Sequence, residues 1–239
     1  MNASIDELRE TVDRLRDELS DLEHEEAELE RQLRAFGVRY RDELGPLVER
    51  LLDIREKRLK QSSRRRRRSA RLRNAYQDAR SAAETFRETM DAVAPEEPSP
   101  ERLTDAEQGR LKSAFRAASK QCHPDMVESA KQEEAATMFN ELREAYQRND
   151  LERVESMAEE LDVQGVTTDD PTTETPEALQ EEIDRLRDRI EAVRASIDEL
   201  RASEAHAVLT EVRNLDAYFE RRKRQLCEEI RRWQRGRLA

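Results

Sequence analysis

The triplet His123-Pro124-Asp125 places two polar, titratable side chains on either side of a proline. Its imidazole and carboxylate supply a donor and acceptors, and the proline between them fixes the backbone φ. Three cations precede the triplet at steps of four residues: Lys112, Arg116 and Lys120. Residues four apart lie on one face of a helix. The sequence therefore predicts a basic stripe on one face of a helix, followed by a short loop whose backbone is restricted by proline.

Cys122 beside His123 offers a second chemistry, that of a thiol nucleophile with an imidazole base. Adjacent side chains in a loop diverge, however, and no glycine that could form an oxyanion hole lies near them. His24 and His206 stand alone, and Cys227 is far from Cys122, so no group of ligands has zinc-site spacing. We therefore expect no enzyme activity, no catalytic residue, no metal site and no cofactor.

The elements that must position the triplet are two helices. Thr104 and Glu107 have the spacing of a capping box, which predicts a helix from Asp105. Asn149 can end the second helix, and Asp150 can cap a short third one. Apolar residues at helical spacing give each helix a buried face: Leu111, Phe115 and Ala118 in the first, and Ala135, Met138, Phe139, Leu142, Ala145 and Tyr146 in the second.

Two antiparallel helices joined by a His-Pro-Asp loop, with a basic stripe before it, resemble the J-domain of DnaJ-type co-chaperones. The tripeptide alone is expected by chance in on the order of 1% of chains of this length, so the flanking runs carry the resemblance. Residues 111–116 read LKSAFR, where the family has apolar-basic-x-Ala-aromatic-basic. Residues 139–146 read FNELREAY, where it has Phe-x-x-apolar-x-x-Ala-Tyr.

The resemblance implies that the chain regulates a DnaK-class chaperone ATPase. In the family the basic helix docks on an acidic groove of the nucleotide-binding lobe, and the tripeptide triggers ATP hydrolysis at the lobe–linker junction. His123 and Asp125 would make the trigger contacts, held by Pro124. The implied docking cations are Lys112, Arg116 and Lys120. The implied J-domain core residues are Leu111, Phe115, Phe139, Leu142 and Tyr146. Of these, Phe115, Phe139 and Tyr146 would set the angle between the helices.

The sequence departs from the family pattern in several places. The family's first helix has no counterpart in 95–110, and the Ala-rich helix ending near Val93 is a candidate substitute. Ala117 stands where many members carry a second adjacent cation, which favours weaker or more selective docking. No Gly/Phe-rich segment and no Cys-rich zinc module is present. We therefore expect the remaining helices to set client or location.

Composition favours an all-α, elongated chain with a small J-like module on a coiled-coil stalk. Charged residues make up 41% and apolar residues 36%, against about 25% and about 45–50% in ordinary globular domains. Long helices with narrow apolar seams satisfy this composition. No run approaches the roughly 20 apolar residues of a membrane span, and the acidic start lacks the order of a signal peptide. These features lead us to expect a cytoplasmic protein without a membrane span.

Two terminal helices carry matching seams. The first seam is Ile5, Leu8, Val12, Leu15, Leu19, Leu22, Leu29, Leu33, Phe36 and Tyr40; the last begins Leu179, Ile183, Leu186, Ile190, Val193, Ile197 and Leu200. The flanking charges are Glu18, Glu23, Glu25 and Glu30 on the first helix and Arg187, Arg189, Arg194 and Arg201 on the last. Like helices in parallel would oppose acid to acid. We therefore predict that the two termini pair, within one chain or across a homodimer.

Prolines and charge runs divide the chain along its length. The predicted segments are N-terminal coiled-coil helices over 1–94 with a basic segment at 57–73, a Pro-rich linker at 95–100, the J-like domain at 101–163, a linker at 164–176 and a C-terminal coiled-coil helix over 177–239. Gly45-Pro46 should break or kink the first helix. Ser62-Ser63 marks either a helix reversal or an exposed turn of one long helix.

The basic segment holds a candidate anion-binding run: Arg64, Arg65, Arg66, Arg67 and Arg68. The net charge of −11 would repel nucleic acid, so binding would depend on this local cluster. Phosphates of RNA or DNA, or an anionic membrane surface, are the candidate ligands. The alternatives are a solvated helix tip or docking onto the chain's own acids. A further alternative is a coiled-coil scaffold whose J-like module does not stimulate a chaperone.

Overall fold

A computed structural model describes residues 4–92, 103–124, 132–164 and 175–235. These residues contain helices and no strand, which confirms the predicted all-α class. The helices are α1 (Ile5–Glu43), α2 (Gly45–Arg65), α3 (Ala70–Ala92), α4 (Asp105–Cys122), α5 (Gln132–Gln147), α6 (Leu151–Gln164), α7 (Pro176–Arg201), α8 (Glu204–Glu211) and α9 (Leu215–Gln234). No helix among these residues is both long enough and apolar enough to cross a membrane.

The chain forms two compact units, each built from separate parts of the sequence. The first unit comprises Met1–Arg34 and Pro100–His206, and the second comprises Ala35–Ser99 and Ala207–Ala239. This division differs from the linear one predicted from composition, because α1 contributes to both units.

In the first unit, α1 and α7 pack along the two predicted seams. Their shared core consists of Val12, Leu15, Leu19, Leu179, Ile183, Leu186, Ile190, Val193 and Ile197, each at most 5% exposed. Thr175 caps α7, since its hydroxyl accepts the backbone N–H of Ala178. Pro176 occupies the first turn, where its missing N–H costs no hydrogen bond.

The charges beside these seams pair across the two helices of one chain, which confirms that the termini associate. Four ion pairs join them: Arg16–Glu182, Glu23–Arg189, Glu18–Arg194 and Glu25–Arg201. The partners are 166 positions apart in the first two pairs and 176 in the others. Because the offset is constant on each flank, α1 and α7 run parallel. Glu30 and Arg187 make other contacts, with Arg143 and Asp184.

In the second unit, α2 and α3 form an antiparallel hairpin. The guanidinium of Arg87 lies 2.6 Å from Asp53 Oδ1, and Lys60 Nζ lies 6.0 Å from the centroid of the Tyr76 ring. Later residues of α3 thus meet earlier residues of α2. The predicted helix reversal is confirmed, but the turn lies at Arg66–Arg68, whereas Ser62 and Ser63 remain within α2.

Two further helix boundaries concern the residues near Gly45 and those near Asn214. As predicted from Gly45-Pro46, α1 stops at Glu43 and α2 begins at Gly45. The single C-terminal helix predicted over 177–239 is instead three helices. Asn214 caps the last of them by accepting the backbone N–H of Ala217, and α9 packs Phe219 and Leu226 against the buried Leu44.

Candidate functional site

The helix α4 begins where the sequence predicts. Thr104 Oγ1 accepts the backbone N–H of Glu107 at 3.3 Å, and Glu107 Oε2 accepts the backbone N–H of Thr104 at 2.7 Å. The helix ends at Cys122, and His123 adopts extended geometry with φ −67° and ψ 126°. This is the backbone region that a following proline favours. Local sequence therefore fixes both ends of the stripe-bearing helix.

Aromatic packing joins α4 to α5. The rings of Phe115 and Tyr146 stack with centroids 4.2 Å apart. The five implied core residues are buried at 7% exposure or less: Leu111, Phe115, Phe139, Leu142 and Tyr146. Asn149 reverses the chain at φ 60°, and Asp150 Oδ1 accepts the backbone N–H of Arg153, which starts α6. Three buried residues of α6 complete the core: Val154, Met157 and Leu161.

The N-terminal helix α1 also packs on this module. Ala27 is 1% exposed within the module's core, and the His24 ring lies 5.8 Å from Phe115 and 6.2 Å from Tyr146. The Ala-rich helix ending near Val93, a sequence-based candidate for this role, is α3, which packs against α2 in the other unit. The helix that covers the module is therefore α1.

Acidic side chains of α1 anchor it to α5. The guanidinium of Arg143 lies 2.7 Å from Glu26 Oε2 and 2.8 Å from Glu30 Oε1. The Tyr146 hydroxyl donates to Glu28 Oε2 at 2.7 Å. We call Glu26, Glu28 and Glu30 the anchor acids. They hold α1 against the face of the module where the aromatic rings stack.

The pKa of Glu28 is strongly lowered by its hydrogen bonds. Burial alone would raise its pKa, but hydrogen bonds from Arg31, Tyr146 and Gln32 lower the pKa to about 2. Burial and the same carboxylate raise the pKa of Tyr146. At neutral pH this contact therefore joins a charged carboxylate to a neutral phenol, which makes a strong, charge-assisted hydrogen bond.

The three predicted docking cations lie along α4 beside α1. Lys112 Nζ is 3.1 Å from Glu28 Oε1, and Lys120 Nζ is 3.2 Å from Asp17 Oδ1. Both lysine side chains remain about half exposed, at 42% and 51%. Arg116 is exposed between them. The stripe therefore exists as predicted, but two of its cations already contact acids of the same chain.

The histidine of the triplet is buried under α1. His123 is 4% exposed, its Nε2 lies 2.6 Å from Glu23 Oε2, and its ring meets the Phe139 ring edge-on with centroids 5.1 Å apart. Pro124 is half-buried. Asp125 lies outside the described residues. The resemblance implies a trigger residue open to a partner, whereas His123 is covered in this structure.

Glu23 also contacts α7. Its Oε1 lies 3.4 Å from Nη2 of Arg189, whereas its Oε2 faces His123. One buried carboxylate thus joins the end of α4 to the parallel α1–α7 pair. We call Asp17 and Glu23 the covering acids, because they meet the end of the stripe and the triplet.

Cys122 does not have the properties of a nucleophile. It is 2% exposed, and burial raises its pKa to about 12. The thiol is therefore protonated at neutral pH, whereas nucleophilic cysteines need a lowered pKa.

The candidate site is a helical hairpin with a basic stripe on α4 and a His-Pro pair where α4 ends. The family model of the DnaJ domain matches residues 103–148, a range that includes α4 and α5. The chain therefore contains a DnaJ domain over these residues. No curated protein and no solved structure matches the chain.

The residues that sequence reasoning missed are the acids of α1 that face the module: Asp17, Glu23, Glu26 and Glu28. Glu23 was assigned only to the flank of the α1 seam. One signal was present, since Glu26 interrupts an otherwise apolar seam. A charged residue at a seam position that is 6% exposed needs a partner, and that partner is Arg143.

Proposed function

We propose that this chain is a J-domain co-chaperone that docks on a DnaK-class chaperone and stimulates its ATP hydrolysis. The observation that carries the proposal is the DnaJ-domain match over 103–148, in which Lys112, Arg116 and Lys120 form one stripe leading to His123. In this proposal the chain is not itself an enzyme and needs no cofactor. The α1–α7 pair acts as a coiled-coil element that sets client or location, and the protein works in the cytoplasm.

In this proposal, docking replaces the α1 carboxylates that contact the basic stripe with acidic groups of the chaperone. Lys112 and Lys120 now contact carboxylates of α1, and the resemblance implies that the same cations meet an acidic groove of the chaperone. The Lys120–Asp17 pair is exposed on both sides, and pairs of that kind contribute only about 0.2–1 kcal/mol. Glu28 is mostly buried, but it keeps its hydrogen bonds from Arg31 and Tyr146 when the half-exposed Lys112 leaves. Both lysines can therefore exchange their carboxylates for those of a partner, and the encounter should weaken with salt.

Uncovering His123 costs more free energy than exchanging the lysine contacts of the basic stripe. Its contact with Glu23 is buried on both sides, and separating a buried pair is costly unless both groups regain partners or water. The anchor acids need not move, because they contact α5 and Lys112 rather than His123. We therefore propose that the covering acids separate from α4 locally while the anchor acids stay in place.

The decisive experiment measures single-turnover ATP hydrolysis by a DnaK-type chaperone with and without the full chain. The native chain should accelerate hydrolysis, and His123→Gln should abolish the effect. Glu23→Gln should increase it several-fold, because the neutral amide holds the imidazole less strongly. Glu25→Gln is the matched control. Glu25 lies on the same helix, and its partner among the described residues is Arg201 of α7, so stimulation should stay at the native level.

The rival function is a scaffold whose DnaJ domain does not act on a chaperone. It predicts no stimulation by the native chain or by Glu23→Gln. A homodimer also remains a prediction, which the mass measured by light scattering would check. Stimulation that survives His123→Gln would contradict the proposed trigger role.

A further inference from the structure

The arginine run lies at the tip of the α2–α3 hairpin. Arg64 and Arg65 end α2, Arg66 to Arg68 form the turn, and all five side chains are exposed. We call residues 64–68 the arginine tip. The surrounding segment 57–73 contains ten Lys or Arg and no acidic residue. A chain with a net charge of −11 thus concentrates positive charge at one end of one hairpin.

The backbone of the arginine tip is held in place by local hydrogen bonds. Arg66 donates its N–H to the carbonyl of Ser62 at 3.0 Å, and Ser69 donates to the carbonyl of Arg66 at 2.9 Å. The Arg73 guanidinium donates to the carbonyl of Arg67 at 3.0 Å. The cations are therefore presented from an ordered turn, which lowers the entropy lost on binding an anion.

The end of α9 packs beside α2 before the arginine tip. The Arg55 guanidinium lies 5.8 Å from the centroid of the Trp233 ring, and Arg58 donates to the carbonyl of Gln234. Arg58 lies six residues before Arg64, roughly 9 Å along α2 at 1.5 Å per residue. The exposed Arg231 and Arg232 precede these contacts on α9, and Glu228 at 3.8 Å partly neutralises Arg232.

The side chains favour the phosphate backbone of a nucleic acid over a membrane. All five tip residues are arginine, whose planar fork binds phosphate oxygens in pairs. Membrane-surface segments add apolar side chains that enter the lipid. Leu59 is 7% exposed and Leu72 is half-buried, so neither is available. No aromatic residue lies within 57–73, which disfavours base stacking and hence single strands.

We propose that the arginine tip binds the phosphate backbone of double-stranded nucleic acid without regard to sequence. This interaction is separate from the proposed chaperone docking, because it uses residues of the second unit. It would place the DnaJ domain near a nucleic acid or near proteins assembled on it. Contacts from five arginines predict that log K falls against log salt concentration with a slope of about −4 to −5.

The test is fluorescence anisotropy of labelled DNA duplex, RNA duplex and single strand with the full chain over a range of salt. We expect both duplexes to bind at low salt with that slope, and single strands to bind less tightly. Replacing Arg64–Arg68 together by Gln should lower affinity at least a hundredfold. Replacing them by Lys should keep the salt slope, because the charge is retained.

The matched control removes five positive charges from surfaces outside the arginine tip. It replaces five other exposed arginines by Gln: Arg14, Arg148, Arg185, Arg187 and Arg213. The control should keep most of the affinity, and circular dichroism should show that every variant remains helical. Equal losses in both variants would overturn the proposal, as would no binding at low salt. Binding to vesicles rich in anionic lipid, without binding to duplexes, would assign the arginine tip to a membrane instead.

Discussion

Glu23 Oε2 lies 2.6 Å from His123 Nε2, and both side chains are 5% exposed. The histidine that the J-domain resemblance assigns to a chaperone partner is thus covered by a carboxylate from the same chain. Because the other oxygen of Glu23 faces Arg189 of α7, the packing of α1 against α7 bears directly on the site. Because α1 covers His123, the imidazole should react slowly with reagents in solution.

We predict that His123 is protected from modification by diethyl pyrocarbonate and that Glu23→Ala removes the protection. The reagent needs an accessible imidazole nitrogen, and Nε2 now faces Glu23. Mass spectrometry of peptides should show the modification rate of His123 rising several-fold in the variant. The rate at His206, which is half-buried at the start of α8, serves as the internal reference. Equal rates at His123 in native and variant chains would contradict the coverage by Glu23.

We predict that Glu28→Gln lowers the free energy of unfolding by about 1–3 kcal/mol at pH 7. The folded-state pKa of Glu28 is about 2, below the ordinary value of 4.5. The carboxylate therefore stabilises the fold fully above about pH 4.5, and this contribution is lost as pH falls toward 2. Urea unfolding of both chains at several pH values would measure the difference, which should shrink below pH 4.5.

The control for this prediction is Glu25→Gln. Glu25 makes an exposed pair with Arg201, and pairs of that kind contribute about 0.2–1 kcal/mol. A loss in Glu25→Gln as large as that in Glu28→Gln would show that the effect belongs to charge in α1 generally and not to the buried contact.

The sequence predicted those features that depend on local periodicity. The seams of α1 and α7 repeat at heptad spacing, and three of the four assigned flanking glutamates pair with α7: Glu18, Glu23 and Glu25. The capping box at Thr104, the chain reversal at Asn149 and the cap at Asp150 follow from short-range hydrogen bonds. Each of these signals lies within a few residues or along a single helix face.

The packing of α1 on the DnaJ domain was not predicted, because its contact face carries little apolar signal. Ala27 and His24 are the residues that meet the core, and most of the remaining contacts are made by glutamates. A row of glutamates can pair with many basic residues or with water, so it does not identify its partner. An apolar stripe must be buried, so it predicts a packing face. The breaks after Arg201 and Glu211 were missed for a related reason: no glycine or proline marks them, and the caps at Ser203 and Asn214 are single polar residues.

We predict that the two cysteines differ in reactivity. Cys122 is buried and has a pKa of about 12, whereas Cys227 is partly exposed. Only the thiolate reacts with Ellman's reagent, so one thiol per chain should react at pH 8 and the second only after unfolding. Cys227→Ser should remove the fast phase. A fast reaction that persists in Cys227→Ser would show that the end of α4 opens readily.

The parallel register of α1 and α7 can be tested by exchanging the charges of one ion pair. Glu25 pairs with Arg201, so Glu25→Arg should lower the free energy of unfolding by roughly the 0.2–1 kcal/mol of an exposed pair or somewhat more, because two arginines then face each other. Adding Arg201→Glu should restore most of that loss. Glu18→Arg with Arg201→Glu is the matched control, because Glu18 pairs with Arg194 and lies seven residues, about 10 Å, from Glu25 along α1. Urea unfolding of the four chains measures the recovery, and equal recovery in the control would contradict the register.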